Sequence, residues 1–501
     1  MSTVDAGIVA LGGRRMPDPV GLPDACRRDL RALFALWAAK LPRDVMRSRY
    51  YHGRNVLKNI GIAVPPDLTD IDTVVGWPQK AVDALAVRSR LDAFTGDEAV
   101  TAILDEVCAA NDLLDTYRML VPSQLTHSCA ALTVNRGEGE LPEIRAHSAI
   151  SCAMLWDFRL HRIRCACTVA EVDARGVPTA YNLYEPDATV RLWQSQHQWR
   201  FQAMPHPMGR PMVEPLVYRA SLDRPFGVSR ISRAVMSITD SAMRTALRAE
   251  IGAELFTSPQ KVILGAPETL FNPYDPNADI DDDDYEDGTY DEDEEPSPYR
   301  AGWQARWEAY LGSIMAISRD GEGNIPQFLQ VAASSMEPHI GYLRSLAARF
   351  SGATCVPISE LGIVQDNPSS AEAIYAAKEG LIIEAEALNE ANGKALANVA
   401  RMALAVIGNK PLDMLTAEER AVGCHFMNPA RPSLVSQADA MVKQASAFPG
   451  IVNTRVYWEE LGYTDDQVDE IMAEVRRSQG EDLLRGILSK GGGGNAEPDQ
   501  G

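Results

Sequence analysis

Between Asp275 and Glu295 lie 13 aspartates and glutamates and no lysine or arginine. Such a stretch cannot bury enough apolar surface to fold on its own. The rest of the chain must fold without it and carry it as an insert. The tract includes Asp281, Asp282, Asp283, Asp284, Glu292 and Glu294. It also sets the electrostatics: the formal net charge is −21, and setting these 13 charges aside leaves −8 for everything else. A chain so acidic does not hold DNA through a phosphate-neutralising surface, because such surfaces are built from lysine and arginine. Placed at a rim, the tract would repel phosphate or attract a basic partner.

The flanking sequence alternates between helical and strand patterns. Residues 24–47 predict an amphipathic helix, with Leu30, Leu33, Phe34 and Trp37 at helical spacing and Pro42 stopping it. Residues 71–93 and 98–120 predict two more, the second with Ile103, Leu104, Val107 and Leu113 on one side. From Ser128 to about Ala203, β-branched and aromatic residues are broken by turn signals at residues 135–139, 173–176 and 185–187. That pattern predicts a small antiparallel sheet, with Ile163–Val172 and Thr179–Tyr184 among its strands.

Residues 229–257 return to helix, on the order of 40 Å long. The stripe from Ile231 through Phe256 is rich in small side chains, which suits packing side by side with copies of itself. Ile238, Ala242, Ala246 and Ala249 are the candidates for that contact. Strands at residues 261–264 and 328–331 bracket the acidic tract and a short helix face from Trp303 to Ile314. A helix follows from Ser335, with Pro338 in its first turn and Gly352 closing it. An irregular stretch over 352–369 leads to a capping box, Ser369 to Glu372, and an alanine-rich helix over 370–407. Helical hairpins and a polar tail beyond Lys490, expected to be disordered, complete a fold that reads as α+β, mainly helical. The 501 residues allow roughly two to four compact units.

The sequence offers little to catalysis. There is no GxSxG, no GxxxxGK[ST] and no GxGxxG. His127 and Cys129 are neighbours on a presumed strand with no third group in view. The eight cysteines form no CxxC pair, so reduced, mostly buried thiols are expected and no metal or cofactor is assigned. An EF-hand loop starting at Asp283 would have Gly288 and Glu294 in place, but Tyr285 stands where a carboxylate is needed. Arg230, Arg233, Arg244 and Arg248 lie along the long helix. They read as solvated or ion-paired with Glu250, Glu254 or a neighbouring subunit, rather than as DNA contacts. No apolar run is long enough for a membrane helix, and residues 1–15 do not read as a secretory signal.

The order of certain short motifs resembles the portal proteins of long-tailed phages. They are Tyr50-Tyr51-His52-Gly53, Phe226-Gly227-Val228-Ser229-Arg230-Ile231, Ser258-Pro259-Gln260-Lys261, and the helix from Glu337 to Phe350. Leu361-Gly362 with residues 366–374, and Asn428-Pro429 with Pro432-Ser433 and residues 438–440, continue the series. The resemblance covers roughly residues 30–470. It implies a portal fold: a wing over 1–228, stem helices over 229–257 and 337–351, a clip over 258–336 holding the acidic insert, a tunnel loop over 352–369, a long wing helix over 370–395, a crown over 396–480 and a flexible tail over 481–501. It further implies a non-enzymatic ring of about twelve copies at one capsid vertex, built in the host cytoplasm. Double-stranded DNA would pass through without sequence-specific binding. The terminase large subunit, a head-completion or neck protein, and the major capsid and scaffolding proteins would be partners. Val356, Pro357, Leu361, Gln365, Asp366 and Asn367 become the tunnel-loop candidates, and the acidic residues named above the clip candidates. The tunnel-loop stretch has no lysine or arginine, which suits a steric or hinge role. The readings from other classes are an acidic soluble enzyme with dispersed site residues and a calcium-dependent binding module.

Overall fold

The structure, a computed structural model, describes residues 16–57, 73–137, 139–196, 198–257, 261–264, 327–330, 335–363, 371–430, 434–463 and 467–477. The acidic tract, the Trp303 to Ile314 face, the capping boxes at Ser369 and Thr464 and the tail beyond Lys490 lie outside these residues.

Helix α1 (Asp24–Tyr51) runs through Pro42 instead of stopping there. Proline removes one donor to the preceding turn, but Leu41 and Asp44 on either side of it are buried, and that packing carries the helix across the gap. Helix α2 (Trp77–Ala86) is followed by strand β1 (Leu91–Thr95). The helix expected over 98–120 is two helices, α3 (Glu98–Ala110) and α4 (Leu113–His127). The break falls at Asn111 and Asp112. Asp112 is left-handed at φ 46. The Asn111 side chain leaves the helical pattern to accept from Ile144 N at 2.8 Å and donate to Pro142 O at 3.0 Å.

The strand region forms two antiparallel sheets rather than one. Strands β2 (Cys129–Arg136), β3 (Pro142–Ser148) and β9 (Val213–Val217) make a three-stranded sheet in the order β3-β2-β9. The other is a five-stranded meander: β4 (Cys152–Asp157), β5 (Arg162–Val172), β6 (Pro178–Tyr184), β7 (Ala188–Ser195) and β8 (Gln198–Pro205). The expected turn at Asp173 joins β5 to β6, with its carboxylate accepting from Arg175 N and Val177 N. Alternation along the meander feeds two cores at once. Cys165, Cys167, Tyr181 and Leu183 face α1, where Leu30, Leu33 and Trp37 meet them. Met154, Ala166 and Tyr184 point the other way, into the main core.

Next come α5 (Arg233–Thr257), β10 (Lys261–Leu264), β11 (Gln327–Gln330) and α6 (Glu337–Thr354). Strands β10 and β11 pair antiparallel, from Lys261 opposite Gln330 to Leu264 opposite Gln327. A 3-10 turn (Ile358–Leu361) leads to α7 (Ala371–Ile407). Helix α7 crosses residues 395 and 396 without a break. The short helix α8 (Ala417–Arg420) and strand β12 (Gly423–Phe426) follow, and β12 pairs with β1. All of these belong to one compact unit ending at Met427. Strand β1 and helix α7 hold residues 396–427 in this first unit. The second unit contains α9 (Leu434–Ala447), α10 (Arg455–Glu460) and a helical stretch over 467–477. The molecule is α+β and mainly helical, as expected.

Candidate functional site at the root of the helix pair

Helices α5 and α6 pack on one another through Ile238, Ala242, Leu346, Ala347 and Phe350. In chain order β10 follows α5, and β11 precedes α6. The start of α5 and the end of α6 meet at a root built from the Phe226 to Ile231 motif. Gly227 is left-handed at φ +65, and a Cβ there would lie 2.1 Å from Tyr218 O, so only glycine fits. Val228 N then donates to Tyr218 O, and the Ser229 hydroxyl donates to Thr126 O at 2.6 Å.

Arg230 is the centre of this root. Its backbone N–H donates to Leu125 O. Its guanidinium donates to Ala81 O, to Tyr218 Oη at 2.9 Å and to Thr354 O at 2.6 Å. It forms an ion pair with Glu384 Oε2 at 2.6 Å, with side chains 3% and 9% exposed. Arg219 reaches the other oxygen of Glu384 at 2.9 Å, and the Tyr218 hydroxyl donates to it as well. Burial pushes the Tyr218 phenol up to about 12, with Arg230 opposing and Glu384 adding to the shift, so it stays a neutral donor. One buried cation thus ties the start of α5 to the end of α6, to α2 and to α7. Such a pair contributes little net stability over an apolar replacement, but removing either member strands a buried charge. Arg230 was expected on the helix, solvated or paired with a neighbour. It precedes the helix and is buried, because its donors are needed by carbonyls from three separate elements.

A second contact fixes α5 from the side. Tyr50 Oη donates to both oxygens of Asp240 at 2.9 Å, Asn55 Nδ2 to the same carboxylate at 3.3 Å, and Thr73 Oγ1 to Glu250 at 3.1 Å. Tyr51 Oη donates to Asp83 at 2.9 Å. Burial, with the carboxylate partner adding, raises both phenols. Gly53 closes this motif at φ +65, where a Cβ would lie 2.8 Å from Val74 Cγ1. The tyrosine pair therefore acts as a brace between α1, α2 and α5.

The remaining candidates divide. Ile238 and Ala242 are buried in the chain's own core, so they are not free to meet a neighbour; Ala246 and Ala249 are half-buried. Arg233 and Arg248 are exposed, and Arg244 donates to Ser241 at 3.3 Å. Val356, Pro357 and Leu361 are buried as well. The 3-10 turn that holds Leu361 is drawn onto the core, and its Glu360 is held by Lys80 at 3.1 Å and Arg88 at 3.9 Å. Gln365, Asp366 and Asn367 lie outside the described residues, as do Asp281, Asp282, Asp283, Asp284, Glu292 and Glu294.

The groups that could do chemistry are quiet. His127 does not alternate with Cys129 on a strand: it ends α4, and Ser128, at φ 83, turns the chain into β2. Burial drives the imidazole down to about 3 and the Cys129 thiol up, the reverse of an activated pair. Burial also takes Cys152, Cys165 and Cys424 to about 12. The described residues bring Asp29, Cys165 and Glu185 together within 4.8 Å. Asp29 is already paired with Arg164 at 2.6 Å, whose charge opposes a cation there.

Sequence reasoning missed Glu384, which sits inside an alanine-rich helix more than 150 positions from Arg230. It also missed a buried amide pair, Gln124 and Asn392, bonded to each other at 2.7 Å and through Asn392 to Tyr117 Oη at 2.8 Å. A polar residue at a helical position otherwise filled by alanine and leucine was the available signal.

The chain is 28% identical to the portal protein of Mycobacterium phage D29 over 464 residues, 90% of this chain and 87% of that protein. It is 27% identical to the portal protein of Mycobacterium phage L5 over 463 residues, with the same coverage. Among solved structures, a chain from the virion of a native gene transfer agent particle superposes with a TM-score of 0.43 at 16% identity, covering 92% of this chain and 99% of that one. A chain from the neck of the native particle, computed with C12 symmetry, gives 0.41 at 15% identity, covering 84% and 99%. No family model matches the chain. The class of protein that this chain resembles is the portal protein of tailed phages. Along nine-tenths of its length it is similar to the portal proteins of phages D29 and L5.

Proposed function

We propose that copies of this chain close into a ring of about twelve at one capsid vertex, since head-to-tail contacts that close generate rings. Double-stranded DNA passes through its channel during packaging and ejection. The α5–α6 pair is the stem, the β10–β11 pair with the acidic insert is the clip, and residues 1–228 with the first part of α7 are the wing. Residues 396–480 are the crown. The terminase large subunit and a neck protein dock on the ring, which sits among major capsid and scaffolding proteins.

The observation that carries this reading is the out-and-back helix pair locked at its root by Arg230 and Glu384, in a chain similar to phage portals. A stem that must keep its angle while DNA passes needs a rigid base. The net charge of −21 supports passage without gripping. Light scattering on the purified chain, followed by negative-stain imaging of the same sample, tests it. Rings with a central hole, of about twelve subunits, are the expected result. A closed dimer or tetramer would overturn it.

A further inference from the structure

A groove runs along the C-terminal half of α7, between that helix and the segment leading to β12. Its deeper end, about 300 Å³, is lined by Arg210, Asn398, Arg401, Leu412, Leu415 and Arg420. Asn398 and Arg401 continue into a wider stretch of about 600 Å³, walled by Val422, Gly423 and Cys424, where Glu390 is paired with Lys394 at 2.7 Å. Three guanidinium groups thus meet over an apolar floor, in a chain of net charge −21. Glu214, the carboxylate next to them, is buried and taken by Arg210 and by Asn398 at 2.8 Å. Arg401 donates to Asn398 Oδ1 at 2.9 Å, Arg420 O at 3.0 Å and Val422 O at 3.3 Å. Arg420 Nε donates to Leu415 O at 2.8 Å. Among the described residues, neither Arg401 nor Arg420 has a carboxylate within 4.0 Å. Arg210 Nε is buried with no hydrogen-bond partner. Guanidinium groups bonded to neutral acceptors retain their charge, and a carboxylate is the stronger partner.

The shape of the groove narrows the choice of anion. Leu415 is buried and Leu412 half-buried at its floor. An apolar floor suits a peptide with apolar side chains beside its carboxylates. It does not suit a DNA backbone, which is met by open, polar surfaces. Among the described residues, β12 pairs with β1 on one side alone, so an extended segment could lie along the other. Each copy of the chain carries 69 acidic residues against 48 basic ones. A head-to-tail ring brings unlike surfaces of neighbouring copies together.

We propose that this groove seats an acidic, partly apolar segment of a second copy of this chain. The proposal rests on the ring reading above. The test uses the full chain under ring-forming conditions. Arg420→Glu reverses the charge at the exposed rim, and Arg420→Lys keeps it. In about 0.1 M salt, ring yield by mass photometry is expected to fall about ten-fold for Arg420→Glu and to stay within about two-fold for Arg420→Lys, with both variants melting like the unaltered chain. Full ring yield from Arg420→Glu would overturn the proposal. A photo-crosslinking p-benzoylphenylalanine in place of Asp413, exposed beside Leu412, gives a reading that does not depend on Arg420. A cross-link to a carboxylate-bearing segment of another copy supports the proposal; one to DNA, to a different protein or to nothing overturns it. If the unaltered chain makes no ring at all, the ring reading fails, and the cross-link between copies still decides the groove.

Discussion

Two charged clusters in this molecule are built alike and end differently. At the helix root, Arg230 and Arg219 share Glu384, and the buried guanidinium has an acceptor for each of its nitrogens. Where α1 meets the meander, Arg164 faces Asp29 while Glu185 stands close by, with no cation of its own among the described residues. Burial, with Asp29 and Asp187 adding, lifts the Glu185 carboxyl to about 7, and Arg164 offsets only part of that. The first cluster fixes its buried carboxylate between two guanidinium groups. The second carries one carboxylate too many and responds to pH. A fully partnered buried charge sets geometry, whereas an under-partnered one sets a titration.

The largest expected effect comes from breaking the first cluster. Glu384→Ala leaves Arg230 buried without its counter-charge and should cost about 3–5 kcal/mol, read as a shift in the urea midpoint of the purified chain. A loss under about 1 kcal/mol would mean that water enters the root and the two clusters are not so different. Next is Tyr50→Phe, which removes a neutral donor from the Asp240 carboxylate on α5. It should cost about 1.5–3 kcal/mol, because that bond is charge-assisted and half-buried.

The smallest effect sharpens the second cluster. The folded-state value of Glu185 lies above its ordinary value of 4.5, so the folded protein binds its proton more tightly than the unfolded chain does. Its contribution to stability is therefore full below about 4.5, and is lost as the pH rises through about 7. Glu185→Gln should flatten the melting-temperature profile across that window and leave it unchanged below it. A parallel profile for both proteins would assign the pH dependence elsewhere.

Much of the secondary structure was legible because it rests on local period and punctuation. The strand pair at residues 261–264 and 327–330, the turn at Asp173, the long α7 and the proline in the first turn of α6 all follow from patterns a few residues wide. The errors have tertiary causes. Pro42 stays helical because its neighbours are buried, and Asn111 breaks a helix because its side chain is engaged by β3. The root was half legible. The motif around Gly227 was visible as a string of residues, but its partner Glu384 lies far along the chain and is brought up only by folding. The burial of Val356, Pro357 and Leu361 was not legible, because proline and the lack of helical period mark only irregular chain. Irregular chain can be buried when a charged turn residue such as Glu360 anchors it.

The central claim is that the α5–α6 pair, held rigid at Arg230, forms the stem of a ring through which DNA passes. The most direct test is a cryo-electron microscopy reconstruction of the assembled chain. The account predicts a closed ring in which the α5–α6 pairs surround a central channel, with the β10–β11 pairs gathered at one rim and Arg230 still bonded to Glu384. Helix pairs splayed away from any channel, or an assembly with no central opening, would contradict it.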